Sequence, residues 1–246
     1  MEAFIRKMII NHNRIPSYSE YPFSLPSVKE MKEISFHPSV TYFVGENGRG
    51  KSTLLEALAV AAGFNPEGGS LNFNFSTYDS HSVLSEYVRL VRGVFRAEDA
   101  FFLRAESFYN AATYIEEVGR EEFGGNIHDS YGGKSLHEQS HGEAFFSTFN
   151  ARFRGNGLYI LDEPEAALSP LRQLSMLSRI HALVKSGSQF IIATHSPILM
   201  SYPDSVILEF SDDGLTQRSL RETEHFKLMK QFFDDPDRML HHLLKP

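Results

Sequence analysis

At 246 residues, 41% hydrophobic and 22% charged, the chain has material for one large α/β core or two small ones, and one domain is the simpler expectation. The absence of cysteine excludes disulfide staples, thiolate zinc sites and cysteine nucleophiles and suits a reducing cytoplasm, while a net charge of -7 argues against a uniformly basic nucleic-acid binder. No apolar run approaches the ~20 residues of a membrane-spanning helix, and the opening MEAFIRKMIINHNRIPSYSE lacks a small-residue cleavage site, so a soluble cytoplasmic protein is expected rather than a secreted one.

In chain order, AFIRKMII (3–10) and VTYFV (40–44) read as strands, being rich in β-branched and aromatic residues. KSTLLEALAVAA (51–62) reads as a helix stopped by Gly63, and the Gly-, Asn- and Ser-rich stretch 63–80 as a loop. A helix is predicted over about 81–95, through Val83, Leu84, Tyr87, Val88, Val91 and Val94, and a further loop over 119–140. LYILD (158–162) is a strand. In the helix predicted over 170–186, Leu171, Leu174, Leu177, Ile180 and Val184 recur at helical spacing before Gly187. QFIIAT (189–194) and SVILEF (205–210) are strands, the latter turning at Asp212, Asp213 and Gly214 into LTQRSL as an antiparallel edge. VTYFV, LYILD and FIIAT are apolar on both faces, as central parallel strands covered by helices are. The expected architecture is one α/β domain over 1–246 with a mixed, largely parallel sheet, flanking helices, and a helical and loop insertion at about 64–150.

The stretch GENGRGKST (45–53) lies between the second strand and the first helix, and it fits G-x-x-x-x-G-K-[ST]. Gly45, Gly48 and Gly50 let the backbone wrap around phosphates, which meet main-chain N–H groups and the positive end of the following helix. Asn47, Gly48, Arg49, Gly50, Lys51, Ser52 and Thr53 form the nucleotide-binding set. Lys51 is assigned to the β and γ phosphates, Ser52 to Mg²⁺ and Thr53 to the α phosphate. Alone, the motif also fits a glycine-rich turn before a core helix; the strand before it, the helix after it and the partners downstream favour the phosphate loop.

LYILDEPE places Asp162 and Glu163 at the end of a buried strand, Asp162 as the metal carboxylate and Glu163 as the general base for water. The competing account is an acidic pair capping a helix that starts at Pro164. FIIATHSP puts His195 at a parallel strand's carboxyl end, where open α/β sheets bind ligands, within reach of a γ phosphate.

GENGRGKST, SHGE, LYILDEPEAALSP and ATHSP, in that order, resemble the ABC-type P-loop ATPases, and most of all their stand-alone soluble AAA/SMC-like members. The resemblance extends over most of the chain, including the closing LRETEHFKLMKQFF. It implies a head that closes as an ATP-dependent, head-to-tail homodimer around two nucleotides. Ser140 and Gly142, in SHGE, then stand where the signature segment meets the γ phosphate held by the other subunit, departing from the transporter form LSGGQ. The same Ser140-x-x-Glu143 is also a capping box for a following helix, which offers N–H groups to a phosphate. The resemblance further implies a D-loop at Ser169 and a metal-associated polar residue at Glu106, where the family carries a glutamine. Arg49 replaces a small residue of the family's loop and is expected to face solvent or the dimer seam. Arg14, Tyr18, Tyr21 and Phe23 are all available to stack on adenine. His241 and His242 read as a polar helix end rather than a metal site.

The functional expectation is a cytoplasmic ATPase that hydrolyses Mg-ATP to ADP and phosphate and drives or gates a protein partner. The alternatives are the nucleotide-binding subunit of an ABC transporter, against which the altered signature stands, and a non-catalytic ATP-gated interaction module. Nucleic acid is a further partner that the charge does not favour, Arg89, Arg92, Arg96 and Arg104 being too scattered to form a patch.

Overall fold

The computed structural model describes residues 2–71, 82–104, 146, 149–150 and 152–245. The strands are β1 (Ile5–Ile10), β2 (Glu33–Ser35), β3 (Val40–Gly45), β4 (Gly69–Ser70), β5 (Val88–Arg92), β6 (Asp99–Arg104), β7 (Gly157–Asp162), β8 (Gln189–Ala193), β9 (Ser205–Ser211) and β10 (Gly214–Arg218). The described helices are α1 (Pro26–Lys29), α2 (Lys51–Ala62), α3 (Pro170–Lys185), α4 (Glu224–Asp234) and α5 (Pro236–Leu243). Among the described residues seven strands form the main sheet in the order β10-β9-β3-β8-β7-β6-β4, and three more form a small antiparallel sheet, β2-β1-β5. From β9 to β6 every pairing is parallel, while β10 and β4 close the two edges antiparallel.

The two-residue period of a strand divides the core. Phe43, Phe102, Ile160 and Ile191 point to one face, where they meet Leu54, Leu55 and Leu58 of α2 and Ile5 and Met8 of the small sheet. Their neighbours Tyr42, Val44, Tyr159, Leu161, Phe190 and Ile192 point to the other, against Met176, Ile180, Leu183 and Val184 of α3. On that second face Phe153 stacks on Tyr159 with ring centroids 4.3 Å apart, and Phe149 packs on Phe153 at 4.6 Å. Burial on both faces is why β3, β7 and β8 read as unbroken apolar runs.

The helix predicted over 81–95 does not form. Ser82 caps a single 3₁₀ turn over Val83–Tyr87, and the chain then extends as β5, pairing Leu90 with Met8 and Val91 with Lys7. Val88 and Val91 suit a helix face by spacing, but their β-branched side chains suit an edge strand as well, and β1 supplies the partner. The described part of the expected insertion, up to Arg104, is built of strands of both sheets rather than of helix.

Candidate functional site

The site forms where β3, β7 and β8 end side by side. β3 delivers the chain to Gly45 at φ +135, where a Cβ would come within 2.4 Å of the Phe210 carbonyl oxygen on β9. Only glycine turns there without a clash. Gly50 is the N-cap of α2 in the left-handed region, with no side chain to offer the helix end, and the first turn of α2 holds no acidic residue. The leading N–H groups of α2 are thereby left for an external acceptor.

Lys51 is 4% exposed and its Nζ donates to the Glu46 carbonyl at 3.0 Å, so the ammonium lies against the loop's own backbone. Burial pulls its pKa down, and the carboxylates of Glu163, Asp162, Glu46 and Glu165 pull it back up. Ser52 Oγ donates to Asp162 Oδ1 at 3.0 Å, joining positions 110 residues apart. That single bond brings the glycine loop and the acidic pair into one place.

Glu163 adopts φ 48 and ψ 51, a conformation that a residue with a side chain takes at some cost and that gathers at functional sites. Its N–H donates to the Ala193 carbonyl on β8 at 2.9 Å, which pins the turn. Although Glu163 is the N-cap of the 3₁₀ turn Pro164–Ala167, its carboxylate makes no capping bond. The side chain is instead 40% exposed, with Oε1 3.4 Å from His195 Nε2. The Glu163 side chain is therefore not a helix cap.

His195 follows β8. Its N–H donates to Glu165 Oε1 at 2.5 Å, and its ring Nδ1 lies 3.0 Å from Nε2 of His225, near the start of α4. Burial lowers its pKa first, the Lys51 cation adds to this and Glu163 opposes it, so the imidazole is neutral at neutral pH. Glu165 is itself raised by burial, against the hydrogen bonds from Thr194 and His195.

Of the other residues singled out by sequence, Thr53 Oγ1 shares a hydrogen bond with Tyr21 OH at 2.8 Å. Tyr21 is 65% exposed, whereas Phe23 is buried, Tyr18 is bonded to His12 and Arg14 lies over the Tyr87 ring. Among the four aromatic or basic candidates, Tyr21 is the one beside the loop with a ring free to stack. The Arg49 guanidinium, 34% exposed, pairs with Asp212 at the β9–β10 turn of the same chain. A hairpin acid within reach of the loop captures the cation. Ser169 caps α3, accepting from the Arg172 N–H at 3.4 Å. Ser140, Gly142 and Glu106 lie outside the described residues.

Four participants escaped the sequence reading. Arg104, at the end of β6, bonds Glu56 of α2 at 3.0 Å and lies 4.0 Å from Asp162 Oδ2, and register pairs it with Asp162 across β7. Glu165, Thr194 and His225 surround His195. The second glutamate of DEPE was a visible signal for Glu165, while nothing in the spacing ties His225 to His195.

An AAA-domain family model matches residues 24–136. No curated protein matches the chain in sequence. In structure the chain is similar to cbiO1 from Clostridium perfringens, part of the ABC transporter complex cbiONQ, at 18% identity over 98% of this chain and 99% of that one, with a TM-score of 0.50. The SMC head domain from Thermotoga maritima shares 16% identity over 87% of this chain and 98% of its own, with a TM-score of 0.46. At 18% identity the likeness to cbiO1 concerns the fold alone.

Proposed function

Since the chain has the fold of an ABC- and SMC-like P-loop ATPase, we propose that it binds Mg-ATP and hydrolyses it to ADP and phosphate. The observation that carries this reading is the Ser52–Asp162 hydrogen bond, which joins the glycine loop to the acidic pair with Lys51, Glu163 and His195 around it.

The residues present fit magnesium. Ser52 and Asp162 are hard oxygen donors 3.0 Å apart, and two protein oxygens leave the remaining positions to phosphate and water, as that ion favours. When bound, the ion neutralises charge on the β and γ phosphates. The loop amides and the start of α2 receive the phosphates, and Lys51 turns its ammonium from the Glu46 carbonyl to them. Glu163 takes a proton from the attacking water as its oxygen bonds to the γ phosphorus; the bond to the β–γ bridging oxygen breaks and ADP leaves with the electron pair. His195 donates a hydrogen bond from Nε2 to the γ phosphate. Tyr21 stacks on adenine.

The same reading includes an ATP-dependent head-to-tail homodimer in a cytoplasmic setting, with Ser140 and Gly142 of a second copy completing the site and Ser169 at the seam. It is supported by the resemblance of SHGE to the signature segment and by the exposure of Ser169. Opening and closing of that dimer would gate a protein partner. Among the described residues no helix is long and apolar enough to cross a membrane.

Calorimetry with Mg-ATP tests the reading. Wild-type protein takes up the nucleotide, and Lys51→Ala, with the same circular dichroism, binds at least about 100-fold more weakly, since charge-assisted hydrogen bonds contribute about 1.5–3 kcal/mol each. Equal uptake by both proteins refutes it.

A further inference from the structure

Resting on the nucleotide site just described, we propose that His225 is a positioning residue for His195: it holds the His195 ring in the tautomer that carries its proton on Nε2, facing the γ-phosphate side of the site.

The start of α4 is anchored so as to present His225 there. Thr223, fully buried, accepts from the Phe226 N–H at 3.3 Å and donates to the Leu220 carbonyl at 2.7 Å. The Glu224 N–H donates to Glu209 Oε1 at 2.9 Å, and Glu209 is itself buried on β9, a strand of the main sheet. The helix end is tied to the sheet that carries the phosphate loop, so His225 arrives on a rigid support.

The two rings meet edge to edge at their nitrogens. His195 Nδ1 and His225 Nε2 are 3.0 Å apart, with the ring centroids 5.1 Å apart and the planes at 59°, a hydrogen-bonding rather than a stacking contact. Of the two facing ring nitrogens one must donate and the other accept. The far side of His195 decides which. Nε2 there is buried, has no hydrogen-bond partner among the described residues and lies 3.4 Å from the Glu163 carboxylate. A bare lone pair at Nε2 would face a carboxylate, and with ATP bound a phosphate oxygen as well; a proton at Nε2 is attracted to both. Nδ1 is then the bare nitrogen, and it needs a donor. His225 Nε2–H supplies it, leaving the buried His225 Nδ1 as the lone pair, without a hydrogen-bond partner among the described residues. A phenyl ring would fill the same space without burying that nitrogen, so packing alone does not account for histidine at this position. Meanwhile Glu165, through the His195 N–H, holds the backbone on which the ring turns.

The experiment uses the full chain with histidine labelled by ¹⁵N, the His195 signals being assigned by their loss in His195→Gln. In wild type, long-range ¹H–¹⁵N spectra show His195 protonated at Nε2, with Nδ1 at the shift of a hydrogen-bonded acceptor. In His225→Phe the acceptor shift is lost and a second tautomer appears; in His225→Gln, whose amide N–H can replace the ring donor, both features return. In parallel, kcat for Mg-ATP falls at least about tenfold in His225→Phe with KM unchanged, the scale on which outer hydrogen-bond partners act. It recovers in His225→Gln, and His225→Phe adds nothing on a His195→Ala background. An unchanged His195 spectrum in His225→Phe, or a kcat that Phe preserves and Gln does not, overturns the proposal. The spectra need no turnover, so a wild type that fails to hydrolyse Mg-ATP counts against the ATPase reading alone and leaves the histidine pair decided by its tautomer.

Discussion

The N-terminus of α2 and those of α3, α4 and α5 are built in opposite ways. Each of the latter three donates a backbone N–H to its own capping side chain: Arg172 N–H to Ser169, Phe226 N–H to Thr223, Arg238 N–H to Asp235. α2 begins at Gly50, with no cap and no acid in its first turn, although its other residues pack tightly in the core. A cap stabilises a helix by satisfying the same N–H groups that an anion would need. Among the described helices of eight residues or more, α2 is the one whose start no side chain caps, and it lies where three strands end together.

Changes at the open end should therefore impair chemistry, and changes at the closed ends stability. The largest effect after loss of Lys51 is expected of Glu163→Gln, which keeps the shape of the side chain and removes the base. Phosphate release should fall about 10²–10⁴-fold while calorimetry still shows Mg-ATP uptake. Undiminished release would remove Glu163 from the mechanism. Acidity probes the same end. With His195 lowered below 6.5, the imidazole stays neutral at neutral pH, and kcat should decline only on an acid limb whose midpoint lies below 6.5. The stability sign follows from the same shift. As the pH falls through 6.5 the unfolded chain takes up the proton first, so the folded state loses stability between 6.5 and the folded titration point. Denaturant titrations of wild type and His195→Gln across that window should show the loss in wild type alone; parallel curves contradict the shift.

At a closed end, Asp235→Ala should cost about 0.5–2 kcal/mol, seen as a melting temperature lower by roughly 2–4 °C per kcal/mol, with Mg-ATP affinity unaltered. A loss of affinity there would erase the contrast between the two kinds of helix end. The smallest effect belongs to Arg49→Ser. Its pair with Asp212 is substantially exposed, 34% and 74% for the two side chains, and such pairs contribute about 0–1 kcal/mol. Nucleotide-driven dimerisation followed by light scattering should be close to wild type. A marked weakening would show that Arg49 leaves Asp212 in the closed state.

Much of the site was legible beforehand because its signals are local. A loop that must wrap phosphates requires glycines at short intervals, and a buried strand ending in an acid announces itself within five residues. Ser52 and Asp162, each legible alone, meet as expected. The misread stretch shows the limit. Val83 to Val94 suits a helix and a strand equally, and the choice was made by β1, some eighty residues away in sequence, which left an edge for Leu90 and Val91 to pair with. Arg104, Tyr21 and His225 belong to the same class, since each reaches the site through neighbours distant in the chain. Arg49 was placed at the loop by sequence, but its partner sits on a hairpin whose position only the sheet order sets.

By itself the sequence determined the local devices: the glycine loop, the apolar central strands, the acidic pair and the histidine after β8. These depend on backbone sterics and on side-chain alternation, which act over a few residues. Only the tertiary structure decided which ends of the strands share an edge, that Glu163 is turned away from its helix cap, and that His225 stands behind His195. Those outcomes depend on packing between elements remote in sequence, where many pairings satisfy the local rules and burial of the whole core selects one.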